Sequence, residues 1–241
     1  EGCTAIGVSL GDSTTADNCT DSTVTNDAPA AYSIGETTVT WTVTDASGNT
    51  ATATQTVTVT DDTLPTIEAP ANVSVSTNEG CTATGVSLGD STTADNCTVS
   101  TVTNDAPTTY SIGETTVTWT VTDASGNTAT ATQIVTVTDD TLPIISETVG
   151  DFAVSCQVNN INIGNPEVND NCGILSITNN EPEEYNIGEN VITWIATDIN
   201  GNTAEYYQTI SVVNSLVPTA ICNDISLTLE EGIAVISALD L

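Results

Sequence analysis

The chain has 241 residues and no Lys, Arg, His or Met, so its 32 acidic residues leave a formal charge of −32. Without His or Lys there is no Ser-His-Asp triad, Cys-His pair, Schiff-base lysine or phosphate-loop lysine, and an enzyme is not expected. Nothing in the chain neutralises phosphate, so nucleic acid and anionic membrane surfaces would repel it, and with no run of 18 or more apolar residues direct membrane insertion is not expected. A zinc site would need thiolates alone, and the seven cysteines lack the paired C-x-x-C spacing that such sites favour.

Threonine supplies 48 residues, and β-branched Thr and Val favour ordered strands over disorder. Shifted by 78 positions the sequence nearly superimposes on itself: residues 1–65 and 79–143 differ at Ile6/Thr84, Asp21/Val99, Ala30/Thr108, Ala31/Thr109 and Thr56/Ile134. A diverged third copy follows at a spacing of 75 and keeps the cysteines, Tyr185, Trp194 and Asp198. Units of this size are small domains rather than solenoid repeats. The expected modules are 1–61, lacking its opening strand, 62–139, 140–214, and the start of a fourth at 215–241.

In chain order, Thr38–Asp45 alternates Val39, Trp41 and Val43 with threonines, which is the period of a half-buried strand. Ala46-Ser47-Gly48-Asn49 reverses the chain, and Thr50–Thr60 alternates again, giving a long hairpin. The linker Thr-Asp-Asp-Thr-Leu-Pro closes the first module and recurs at 138–143. Strands are expected at Pro70–Thr77 and around Val86 and Leu88, after which the hairpin pattern returns in the second and third modules. Thr outside and Val or Trp inside predicts an all-β chain of two-sheet sandwiches, arranged end to end as a rod because the linkers are short.

Cys3 and Cys19, Cys81 and Cys97, and Cys156 and Cys172 are each 16 apart, and one disulfide within each module is the economical expectation. Closing such a loop is worth about 3 kcal/mol in the chain-entropy model. Cys222 is left over, its partner expected beyond Leu241. Disulfides imply an extracytoplasmic location.

At Asp-Asn-Cys, Tyr-x-Ile-Gly-Glu, Thr-Trp and Asp-x-x-Gly-Asn-Thr-Ala the modules resemble hyalin repeats, or HYR domains. The resemblance implies immunoglobulin-like sandwiches strung in tandem on secreted and cell-surface proteins. The stretch "TVTWTVTDASGNTATATQTVTVTDDTLPTI" and the tail from Pro218 resemble giant Bacteroidota surface adhesins, including type IX secreted gliding adhesins. The implied partners are further modules of the same chain, cell-surface or secretion-system proteins, and extracellular polysaccharide.

The three tryptophans sit on the apolar face and read as core. Asp17-Asn18, Asp95-Asn96 and Asp170-Asn171 read as turns, as do Asp45, Asp123 and Asp198 at the hairpin loops. No cofactor is required, but calcium is expected at the junction pairs Asp61-Asp62 and Asp139-Asp140, where adjacent carboxylates repel and no protein cation screens them. The Bacteroidota resemblance also implies O-glycosylation at Asp-(Ser/Thr)-(aliphatic or Thr), which occurs at Ser13, Ser22, Thr63, Ser91 and Thr141. The expected function is the non-enzymatic stalk of a surface adhesin, projecting an adhesive tip for attachment or gliding. The alternative is a multivalent polysaccharide-binding module.

Overall fold

A computed structural model describes residues 2–18, 23–146, 149–156 and 161–221, and every element in them is a strand. Cys19, Ser22, Cys222 and most of the expected fourth module lie outside the described residues. The first two modules form one compact unit, residues 1–140, and the third module opens a second, residues 141–241.

The second module shows the plan. Gly113–Asp123 and Thr128–Thr138 form the long antiparallel hairpin, in register from Gly113 opposite Val137 to Thr122 opposite Thr128. Every second residue turns inward, so Val117, Val121, Val135 and Val137 are sealed from solvent while the intervening threonines face out. Each of those buried valines contributes about 1.5–3 kcal/mol by leaving water. Val99–Asn104 extends the sheet on one edge and Val73–Ser76 on the other, the latter parallel to Val135–Thr138. Two short ladders face this sheet: Thr66–Glu68 with Thr92–Ala94, and Thr82–Thr84 with Thr109–Ser111. Ala83, Tyr110, Val117, Trp119, Val135 and Val137 meet between the layers.

One expected strand does not form. Val86 and Leu88 do point into the core, but they lie outside the strands, and the strand falls earlier, at Thr82–Thr84. The physical reason is that a side chain has taken the ladder's place: Gln133 donates from Nε2 to the Leu88 carbonyl at 2.9 Å and to the Ala71 carbonyl at 2.7 Å. Its Oε1 accepts from Trp119 Nε1 at 3.1 Å, so a fully buried glutamine joins the hairpin to the facing segments. The third module repeats the device with Gln208, which binds Trp194, Gly150 and Ile163.

The third module keeps the same sheet order, Phe152–Ser155, Thr203–Val213, Gly188–Asp198 and Ile174–Asn179, with the first pair parallel. Ile192, Trp194 and Ile210 form its core. In the first module the described sheet has three strands, Thr23–Asn26, Gly35–Thr44 and Thr50–Val59, and Trp41 is only half buried.

Candidate functional site: the joint between the first two modules

Each module has two ends. At one, the hairpin reverses through Asp123–Asn127, where Gly126 at φ 93° takes a left-handed turn that a side chain would resist. Asp123 Oδ1 accepts from the backbone of Ser125 at 2.9 Å and Asn127 at 2.7 Å, and Oδ2 accepts from Asn127 Nδ2 at 2.8 Å. Burial opposes ionisation of Asp123, yet these donors outweigh it and hold the carboxyl below the usual range. Asp198 behaves in the same way. In Asp45 the Asn49 side chain leads the lowering. The turn reading of these aspartates is what the structure shows.

The linker leaving the first module lands on this end of the second. Asp61 is its anchor. The Asp61 carbonyl accepts from Asn127 Nδ2 at 2.9 Å. Its Oδ1 accepts from Asn96 Nδ2 and from the Thr63 backbone, both at 3.2 Å. Its Oδ2 lies 3.5 Å from the Ser125 hydroxyl. Thus a residue outside the second module's sheets is gripped by both the hairpin loop and the Asp95-Asn96-Cys97 turn. A covalent tie stands beside it, because Cys3, at the start of Thr4–Ile6, is disulfide-bonded to Cys97 across the joint, with Cα atoms 4.9 Å apart.

The bond replaces the within-module pairing expected of the cysteines. Cys97 is taken by Cys3, so neither Cys3–Cys19 nor Cys81–Cys97 forms. Cys156 is a free, exposed thiol whereas Cys172 is engaged in a disulfide, so Cys156–Cys172 does not form either. The reason is the length of the module. Cys81 precedes Thr82, which pairs with Ser111 beside the Gly113–Val137 end of the hairpin. Cys97 precedes Thr98, whose carbonyl accepts from Ala124 at the loop end. An 11-residue strand separates those ends, about 33 Å, and a disulfide needs Cα atoms within about 7 Å. In the third module Cys156 donates to the Val213 carbonyl at one end, while Gly173, beside Cys172, accepts from Ile199 at the other.

The candidate cation residues divide. Oxygens of Asp61 and Asp95 lie within 4.8 Å of each other and of Cys97 Sγ, and Asp95 Oδ1 is buried without a hydrogen-bond partner. Oxygen donors suit calcium, whereas the sulfur is spent in the disulfide. Asp62 is exposed and outside this group. Asp140 Oδ2 accepts from the Ser76 hydroxyl at 2.7 Å and Asp139 Oδ1 from the Thr77 hydroxyl at 3.3 Å, within the second module itself. Of the hydroxyls in Asp-Ser and Asp-Thr, Ser13, Thr63 and Thr141 are exposed and Ser91 is half buried. Trp119 and Trp194 are core residues, at 7% and 2% exposure.

The sequence reading missed Asn96, Ser125 and Asn127 as partners of Asp61, and Gln133 as a core residue. A signal for the glutamines was present, since one stands fourteen residues after each tryptophan.

The HYR domain family matches residues 2–59 and 60–137, more than half of the chain. The chain belongs to the HYR family. It is 32% identical over 225 residues to "Hyalin" of Lytechinus variegatus, covering 86% of this chain and 42% of that protein. It is 31% identical over 207 residues to "Hyalin" of Strongylocentrotus purpuratus, covering 78% of this chain and 17% of that protein. The chain thus spans less than half the length of either relative. Among solved structures it aligns with protocadherin gamma B2 extracellular cadherin domains 3–6 at 12% identity and a TM-score of 0.32, covering 81% of this chain and 68% of that one. It aligns with mouse clustered PcdhgC3 EC1–3 at the same identity and TM-score, covering 74% and 77%.

Proposed function

We propose that this HYR chain is a load-bearing, non-enzymatic stretch of an extracellular adhesion protein, in which modules act as spacers and the joints set stiffness. The observation that carries the reading is the joint just described: a linker aspartate gripped by two segments of the next module, beside a disulfide that crosses the boundary. A flexible tether would leave the linker backbone to water. The alternative reading, a polysaccharide binder, calls for aromatic platforms on the surface. Trp119 and Trp194 are core, and Tyr207, exposed at 59%, stands beside a Tyr206 whose hydroxyl is engaged with the Val149 carbonyl.

Within this reading the protein is a bacterial surface adhesin of the Bacteroidota gliding type, as the tandem motifs and the absence of basic residues suggest. Calcium at Asp61 and Asp95 would offset an electrostatic defect of the joint, two carboxylates close together in a chain with no cationic side chain. Waters would complete so sparse a ligand set, which makes the site a weak one. O-glycosylation at exposed Ser13, Thr63 and Thr141 would shield the stalk from proteases.

Small-angle scattering on the whole chain tests the stalk. A rod built from modules each about 35 Å long has a radius of gyration well above the roughly 18 Å of a globule of this length. A value near the globular figure would overturn the reading.

A further inference from the structure

We propose that the first module carries an acceptor site for an extended peptide, the entry segment of an HYR module in another chain, added as strands in the way the second module holds residues 61–76. The site is a groove of about 140 Å³ lined by Thr14, Thr15, Val24, Trp41, Val43 and Ala53. Its counterpart in the second module is covered. There Thr66–Glu68 pairs with Thr92–Ala94 and lies against both strands of the hairpin, with Pro65, Ile67 and Ala69 turned inward. Trp119 is 7% exposed and Val121 is sealed, whereas Trp41 and Val43 are half buried and Ala53 is exposed. None of the five positions at which the two copies differ lines the groove. One surface, built twice from nearly the same sequence, therefore shows what covers it: an extended Pro-x-Ile-x-Ala strand.

Polar groups extend the same site. Asn18, Ser47 and Asn49 are the counterparts of Asn96, Ser125 and Asn127, which grip Asp61, and all three are exposed. Gln55 Nε2 donates to the Leu10 carbonyl, whereas Gln133 Nε2 donates to Leu88 and also to Ala71 of the entry segment. A second N–H of Gln55 is thus left for a carbonyl of the added peptide. Thr50–Val59 is an edge of its sheet, where the equivalent Thr128–Thr138 pairs in parallel with Val73–Ser76. Asn72 Oδ1 accepts from the Ile134 backbone at 2.9 Å, and Thr56 stands at that position in the first module. An added segment gains backbone hydrogen bonds along the edge and buries apolar side chains over Trp41, the combination by which strand addition binds peptides. The entry segments of this chain are engaged in their own modules, Thr66–Glu68 with Thr92–Ala94 and Ile144–Ser146 with Glu167–Asn169, so the occupant comes from a second polypeptide. Occupancy joins two chains without a shared backbone. The site holds or fails independently of whether the chain is a stalk.

The test is a synthetic peptide of residues 61–77 added to the whole, unaltered chain and read by hydrogen exchange. Salt at about 0.15 M confines the repulsion between the peptide's three side-chain carboxylates and the acidic chain to about 8 Å. With the peptide at about ten times its dissociation constant, amides of Gly35–Thr44 and Thr50–Val59 should exchange about tenfold more slowly. Those of Thr128–Thr138 and Thr203–Val213 should not change. A peptide carrying Ile67→Asp, which sets a carboxylate over Trp41, should give no protection. Absence of protection at about 1 mM of the unaltered peptide would overturn the proposal. So would equal protection from the Ile67→Asp peptide, or protection of the second module's hairpin in place of the first's.

Discussion

Replacing Gln133 by Met should destabilise the second module far more than Gln55→Met destabilises the first, although the two sequences around them are nearly identical. Gln133 is fully buried and makes three hydrogen bonds, to Trp119 Nε1 and to the carbonyls of Ala71 and Leu88. Methionine preserves length and volume but leaves one donor and two acceptors stranded. A buried polar group without a partner costs about 1–3 kcal/mol, so three cost about 3–6 kcal/mol after partial relaxation. The more apolar side chain returns about 1 kcal/mol, leaving a net loss of about 2–5 kcal/mol. Gln55 contacts Trp41 and the Leu10 carbonyl and is only half buried, so water replaces what the substitution removes. There the expected loss is below about 1 kcal/mol.

Hydrogen exchange read by mass spectrometry is the suitable assay, because a chain of several modules has no single unfolding free energy. The opening free energy of amides in Gly113–Asp123 and Thr128–Thr138 reports the second module, and that of Gly35–Thr44 and Thr50–Val59 the first. Equal losses in the two modules, or a loss below about 1 kcal/mol for Gln133→Met, would refute the view that this glutamine holds the layers together.

Three further outcomes are expected. Asp45, Asp123 and Asp198 titrate below the ordinary carboxylate range in the folded chain; their contribution should therefore be complete above about pH 4, the unfolded value, and fade as pH drops through the lower folded values. Carboxyl chemical shifts that titrate at the ordinary pH would contradict this. Tyr185, half buried and donating to Glu181 at 2.9 Å, is pushed up to about 12, first by loss of solvent and then by Glu181, so its phenol should ionise well above the ordinary range in an absorbance titration. Its support for the fold should be whole below about pH 10, the unfolded value, and lost as pH rises from there through the folded value of about 12, and Glu181→Gln should bring its ionisation down. Calcium should raise the melting temperature of the whole chain, and Asp61→Asn should remove the shift; identical curves with calcium and with chelator would count against a cation at the joint.

What could be read in the sequence was whatever repeats inside a single strand or turn. Val117, Trp119 and Val121 announce an inward face because alternation is a local property, and Asp123 announces a turn because its partners are two and four residues away. The pairing of Val73–Ser76 parallel to Val135–Thr138 left no such mark, since partners 62 residues apart share no period. Gln133 looked like an ordinary polar residue in a Thr-rich strand; only the facing carbonyls, 45 and 62 residues away, give it a reason to be inside.

The cysteines show the same limit from the other side. Spacing of 16 residues suggests a short loop to close, and loop entropy alone favours joining near neighbours. The intervening residues, however, run from one end of a strand-length module to the other, and an extended chain of 16 residues spans about 50 Å. Sequence distance and spatial distance part company because strands are stiff. The cysteine nearest in space to Cys3 is the one 94 residues on, placed there by the next module's turn. On the proposed reading, the same stiffness puts the mechanical load on the joint. What ties the first two modules into one unit rather than a string of beads lies in Asp61, Asn96, Ser125, Asn127 and one disulfide.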